Sequence, residues 1–166
     1  MLSSCGDLNI SKEKRVIQDL KNNLFRLESI WKDFANDDVL LDLDTMLLLV
    51  EAMPDTSELN QLEGVKREQA FFWKDLAVEY QGYKTTFFEI GKQIQTTQEN
   101  LERLKEDRIN RAVQRERFFL YVQSEQRVIK TIRQNLKTTI QALNNCHDSF
   151  KKYGTILAKL SEEPKS

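Results

Sequence analysis

His147 is the one imidazole in the 166-residue chain, and Cys146 precedes it directly. A thiol beside an imidazole is the pairing that can generate a thiolate nucleophile. Adjacent side chains on a helix, however, point about 100° apart, and Cys146 falls on an apolar row. The pair therefore reads as a packed thiol. Carboxylate di-iron bundles require Glu-x-x-His on two helices, and Asn144 stands where that Glu would be. No P-loop, G-x-G-x-x-G or G-x-S-x-G occurs, and nothing clusters at metal-ligand spacing. The expectation is no enzyme, no cofactor, no metal and no small-molecule substrate.

The chemistry that remains is charge. The formal net charge is −1, which gives no global polyelectrolyte argument for nucleic acid. That total hides two opposite stretches. Between Glu28 and Glu63 stand ten acids and one base, Lys32. Between Arg127 and Leu160 stand seven bases and one acid, Asp148. Among those bases Arg127, Lys130, Arg133, Lys137, Lys151 and Lys152 take outer or flanking helix positions and form a candidate anionic-surface face. The blander reading is that acidic and basic helices lie side by side and steer one another into register. The arginines of Lys105–Arg117 read either as a basic tip or as a solvated segment with internal ion pairs.

Elements must position these groups. Five Gly and two Pro in the whole chain are too few for sandwiches, barrels or doubly wound folds, which need frequent turns. Residues 1–10 read as a flexible tail and Ser11 as a first cap. Ile17, Leu20, Leu24, Leu27, Trp31 and Phe34 then follow at spacings of 3 and 4, the rhythm of a heptad stripe. The phase breaks at Asn36-Asp37-Asp38, where a cap or kink fits, and resumes through Leu40, Leu43, Leu47 and Val50. Asp42 and Asp44 interrupt this apolar run, which is too short to span a bilayer. Pro54 ends the helix near Ala52, and Asp55 with Glu58 has the form of a capping box for a helix starting near Ser57.

From Trp73 the 3–4 alternation continues through Leu76, Tyr80, Tyr83, Phe87, Ile90, Ile94, Thr97, Leu101 and Leu104. It returns in Ile129, Ile132, Leu136, Thr139, Leu143, Cys146, Phe150, Tyr153, Leu157 and Leu160. Extended through the middle, the same register lands on Arg108, Arg111 and Arg115. Either residues 57–160 form one helix of roughly 150 Å, or the chain reverses within Lys105–Gln114 and the halves pack as a hairpin. Phe72, Phe88, Phe119 and Tyr121 lie off the seam and demand a second neighbour. A hairpin with the first helix laid over it supplies that neighbour.

The expected fold is all-α: an elongated antiparallel bundle or coiled coil of about three long helices, with a hairpin over 57–160 and an N-terminal helix over 11–53 that kinks near 36–38. Residues 11–160 form a single domain in this reading, and 161–166 a flexible tail. The partner-helix seam comprises Trp73, Leu76, Phe87, Ile90, Ile94, Leu101, Ile129, Ile132, Leu136, Leu143, Phe150 and Leu157. The expected function is a non-enzymatic scaffold or assembly subunit that pairs helices with itself, as homodimer or hetero-oligomer, or with other helical proteins. Three long helices with a basic outer stripe also resemble, in architecture and charge, the general plan of BAR-type membrane-curvature domains, including those carried by sorting nexins. That resemblance implies binding to anionic membrane surfaces in membrane trafficking. The expected location is cytoplasmic, peripheral on membranes or cytoskeleton.

Overall fold

A computed structural model describes the backbone of residues 4–55, 64–110 and 113–162. Four helices account for nearly all of these, and no strand occurs among the described residues. They are α1 (Ser4–Ala35), α2 (Asp38–Ala52), α3 (Gly64–Ile109) and α4 (Arg115–Ser161). The all-α expectation holds, and the fold is a helical bundle.

The spacing of apolar residues sets which face each helix buries. On α1 the row Ile17, Leu20, Leu24, Leu27 and Phe34 is buried. On α3 the row from Trp73 to Leu104 is buried at every 3–4 step except the half-buried Tyr83. On α4 the row Phe118, Val122, Ile129, Ile132, Leu136, Leu143, Leu157 and Leu160 is buried likewise. Each such side chain contributes roughly 1.5–3 kcal/mol relative to exposure. These rows, more than helix propensity, hold the elements in place.

The boundaries follow from local chemistry. Asp37 has extended backbone and caps α2, its carboxylate accepting from the Val39 N–H at 3.4 Å. The Asp37 N–H in turn donates to the Phe34 carbonyl, closing the end of α1. The break expected near 36–38 is therefore present. At the far end of α2, Met53 turns extended ahead of Pro54, as the residue before a proline prefers. The α2 core uses Leu40, Leu43, Met46 and Val50. Met46, not the expected Leu47, fills the third place, because the spacing from Leu43 is 3.

One other boundary differs from expectation. The α1 backbone is helical from Ser4, so Ser11 lies inside the helix and is not its cap. Glu13 gives the reason: it is buried and ion-paired, so ordered turns must precede it. The expected helix start at Ser57, and the Glu58 half of the Asp55–Glu58 capping box, lie outside the described residues. Between α3 and α4 the chain leaves the helix at Asn110 and re-enters at Arg115. The Val113 N–H reaches back to the Asp107 carbonyl at 3.4 Å. Residues 57–160 are thus not one uninterrupted helix; the chain breaks inside the Lys105–Gln114 window.

By packing, the chain divides into two compact units. Unit one is residues 1–33 with 88–137, and unit two is residues 34–87 with 138–166. In unit one, α1 lies on α3 with Trp31 edge-on to Phe88, ring centroids 6.4 Å apart. In unit two, Phe34 of α1 meets Phe87 of α3 at 5.4 Å, and Trp73 of α3 meets Phe150 of α4 at 6.4 Å.

Candidate functional site: the outer face of α4

In unit one, α4 is buried on one side along Ile129, Ile132 and Leu136. Arg127, Lys130, Arg133 and Lys137 lie within a sector of about 120° centred roughly 125° round the helix from that row, at 100° per residue. All four are exposed, and none makes an ion pair among the described residues. Between Arg117 and Lys137 the sequence holds one acid, Glu125. Glu125 is turned inward: its Oε2 atom is buried without a hydrogen-bond partner. Burial raises the Glu125 pKa, and an Asn100 hydrogen bond opposes that only in part. The outer face therefore carries positive charge without local compensation, which can attract and hold an anionic surface.

Within unit one, Glu28 and Glu102 are engaged by other groups. In unit one, Glu28 bonds Lys32 at 2.6 Å and accepts from Gln98 at 2.8 Å. Those two groups hold its carboxyl below the usual range. Glu102 is taken by Lys21, which lowers its pKa first of all, and by Lys105 at 3.3 Å. None of the described ion pairs joins an acid of the Glu28–Glu63 stretch to a lysine or arginine of α4.

The seam arginines have a different fate. Arg108, largely buried, donates from Nε to Glu13 Oε2 at 2.6 Å. Arg115, more exposed, lies 3.6 Å from Glu13 Oε1 and stacks over the Phe119 ring at 5.8 Å. Glu13 is the group that answers the cations on the seam. Its place was legible: it stands four residues before Ile17, on the same row, where an apolar residue would be expected. Arg111 lies outside the described residues.

Unit two holds the remaining polar chemistry. Lys151 and Lys152 are exposed there, Lys152 over the Tyr153 ring at 4.9 Å. The two aspartates that interrupt α2 are both engaged. Asp42 meets His147 Nε2 at 2.7 Å. Asp44 accepts from the Tyr80 hydroxyl and from Lys84, each at 2.5 Å. Burial pushes the Asp44 carboxyl up, but Lys84 and Tyr80 outweigh it and hold it below the usual range. Burial, then Asp44, raises the Tyr80 phenol. The Cys146 thiol is buried and its pKa raised, by desolvation first and by the Glu79 charge second. A nucleophilic cysteine needs the opposite shift. No group of three or more His, Cys, Asp or Glu among the described residues is placed to hold a metal ion. No helix among them is long and apolar enough to cross a membrane.

The expected partner-helix seam lies inside the chain. Trp73, Leu76, Phe87, Ile90, Ile94, Leu101, Ile129, Ile132, Leu136, Leu143 and Leu157 are buried, and Phe150 is half-buried. The Phe71-Phe72-Trp73 aromatics split: Trp73 joins the core of unit two, while Phe72 borders an open groove of about 330 Å³ with Val65, Tyr153 and Ile156. Comparison with known proteins finds no family model, no curated protein and no solved structure that matches this chain. Its function must be argued from its own surfaces.

Proposed function

We propose that this chain is a non-catalytic helical module that docks on an anionic membrane surface through the outer face of α4. Such docking fits a peripheral role in membrane trafficking of the kind BAR-type domains perform. The supporting observation is the group Arg127, Lys130, Arg133 and Lys137: exposed, without an ion pair among the described residues, and gathered on one sector turned away from a buried row. Near an anionic bilayer each such cation contributes about 1 kcal/mol. Four give binding that is useful and sensitive to salt. The test is co-sedimentation with phosphatidylserine-containing vesicles and with phosphatidylcholine alone. Binding only to the anionic vesicles, lost in Lys130→Glu with Lys137→Glu, is the expected result. No sedimentation of the wild-type chain at low salt removes this reading.

A second reading, an assembly subunit that pairs helices with itself or with another helical protein, rests on unit two. The 3–4 rows are buried within the chain, so a partner must use what stays outside. Leu41 and Leu48, one heptad apart on α2, are both exposed. Two large apolar groups at that spacing form a stripe that another helix can cover. Light scattering tests it: a mass above the monomer that falls to the monomer in Leu41→Asp with Leu48→Asp favours this reading.

A further inference from the structure

Three apolar side chains on either side of the α3–α4 turn of unit one are exposed. Ile109 ends α3 at 43% exposure. Phe119 and Leu120 stand in the second turn of α4 at 42% and 65%. At 100° per residue, Phe119 falls in the same sector as Lys130 and Lys137, and Leu120 lies close to Arg127. The outer face of α4 thus begins apolar at the turn and continues cationic away from it. Arg115 stacks on Phe119, and Arg117 is exposed beside Leu120. The acids near the turn are Glu106, Asp107 and Glu116, all exposed.

A soluble polyanion would use the cations and gain nothing from the apolar end. A bilayer uses both, because apolar side chains enter the acyl boundary while Arg and Lys stay at the phosphates. We propose that Ile109, Phe119 and Leu120 insert into the facing leaflet of an anionic bilayer, so that the partner of this face is a lipid membrane. The proposal rests on the anionic-membrane reading and adds to it a wedge at the turn. Leu120 is the deepest member, being the most exposed of the three. Arg115 and Arg117 flank the insertion and keep it at headgroup depth.

The experiment uses the full chain and the variant Phe119→Ser with Leu120→Ser. Both positions are exposed, so the variant keeps its helical circular dichroism. Binding is measured to phosphatidylserine-containing vesicles and, in parallel, to heparin as a soluble polyanion. Surface pressure under an anionic lipid monolayer reports insertion directly. The expected result is about tenfold weaker vesicle binding in the variant, unchanged heparin binding, and a pressure rise only with the wild-type chain. Equal vesicle binding by both chains, or no pressure rise with the wild type, overturns the wedge and leaves the cationic face standing. Heparin binding without vesicle binding overturns the wedge and assigns the face to polyanions. Binding to neither overturns the anionic reading and the wedge together.

Discussion

The Trp31 indole presses on Gly91: a Cβ placed on Gly91 would stand 2.6 Å from Trp31 Cζ2 and 2.7 Å from Cε2. Only the absence of a side chain lets α1 and α3 come this close in unit one. Glycine inside a helix otherwise costs about 1 kcal/mol relative to alanine. Gly82, also inside α3, faces open space, with nothing within 4 Å of the same construction. The two glycines therefore predict opposite signs. Gly82→Ala raises the unfolding free energy measured in urea by up to about 1 kcal/mol. Gly91→Ala lowers it by about 1–3 kcal/mol, because a rigid ring must move. Trp31→Leu removes the ring atoms, so a double-mutant cycle gives a coupling of at least about 1 kcal/mol. Additive effects would show that the ring yields freely.

Glu13 and Arg108 form a buried pair, and breaking such a pair costs more than deleting it. Glu13→Ala strands the Arg108 guanidinium and is expected to cost roughly 3 kcal/mol. Glu13→Leu with Arg108→Leu leaves no buried charge and costs distinctly less than either single change. Thermal or urea unfolding of the three variants decides it. A double variant as unstable as the sum of the singles would mean that the two groups are not coupled and that neither single change acts by stranding the other.

Glu125 sets a pH dependence. Its pKa is raised in the folded chain by burial, so the folded state holds this proton more tightly than the unfolded state. Stability from this group is present below its unfolded pKa and is lost as pH rises through the folded one. Glu125→Gln removes the ionisable group and keeps the shape. It is expected to stabilise by about 1 kcal/mol at pH 7, where the wild type must bury a charge. The gain fades as the pH falls through the raised folded pKa and is gone below the unfolded carboxyl range. Unfolding midpoints of both chains across that range check the sign; a gain that grows toward acid would refute it.

Much of this architecture is written in one-dimensional spacing. Rows such as Trp73–Leu104 alternate by 3 and 4, and burial follows them because only one helix face can be turned inward. Asp37 and Pro54 mark boundaries for equally local reasons, a side-chain cap and a restricted preceding residue. What spacing does not carry is pairing at a distance. Asp42 and Asp44 looked like interruptions of an apolar run. They are anchors for His147, Tyr80 and Lys84, and the nearest of these is 36 residues away from its aspartate. Arg108 looked like a polar fault on its row, and only the fold brings Glu13 to it. The cationic face of α4 was legible because it depends on one helix alone. The apolar group at the turn was not, since exposure of Phe119 and Leu120 depends on which neighbours fail to cover them.

The sequence holds two tryptophans, and each unit received one: Trp31 half-buried in the first, Trp73 fully enclosed in the second. The protein thus carries two native optical reporters in different solvent environments. Acrylamide reaches Trp31 more readily than Trp73, and single replacement of either indole isolates the signal of the other. Melting of each half can then be followed without a label, which tells whether the two halves come apart as one cooperative block or in sequence.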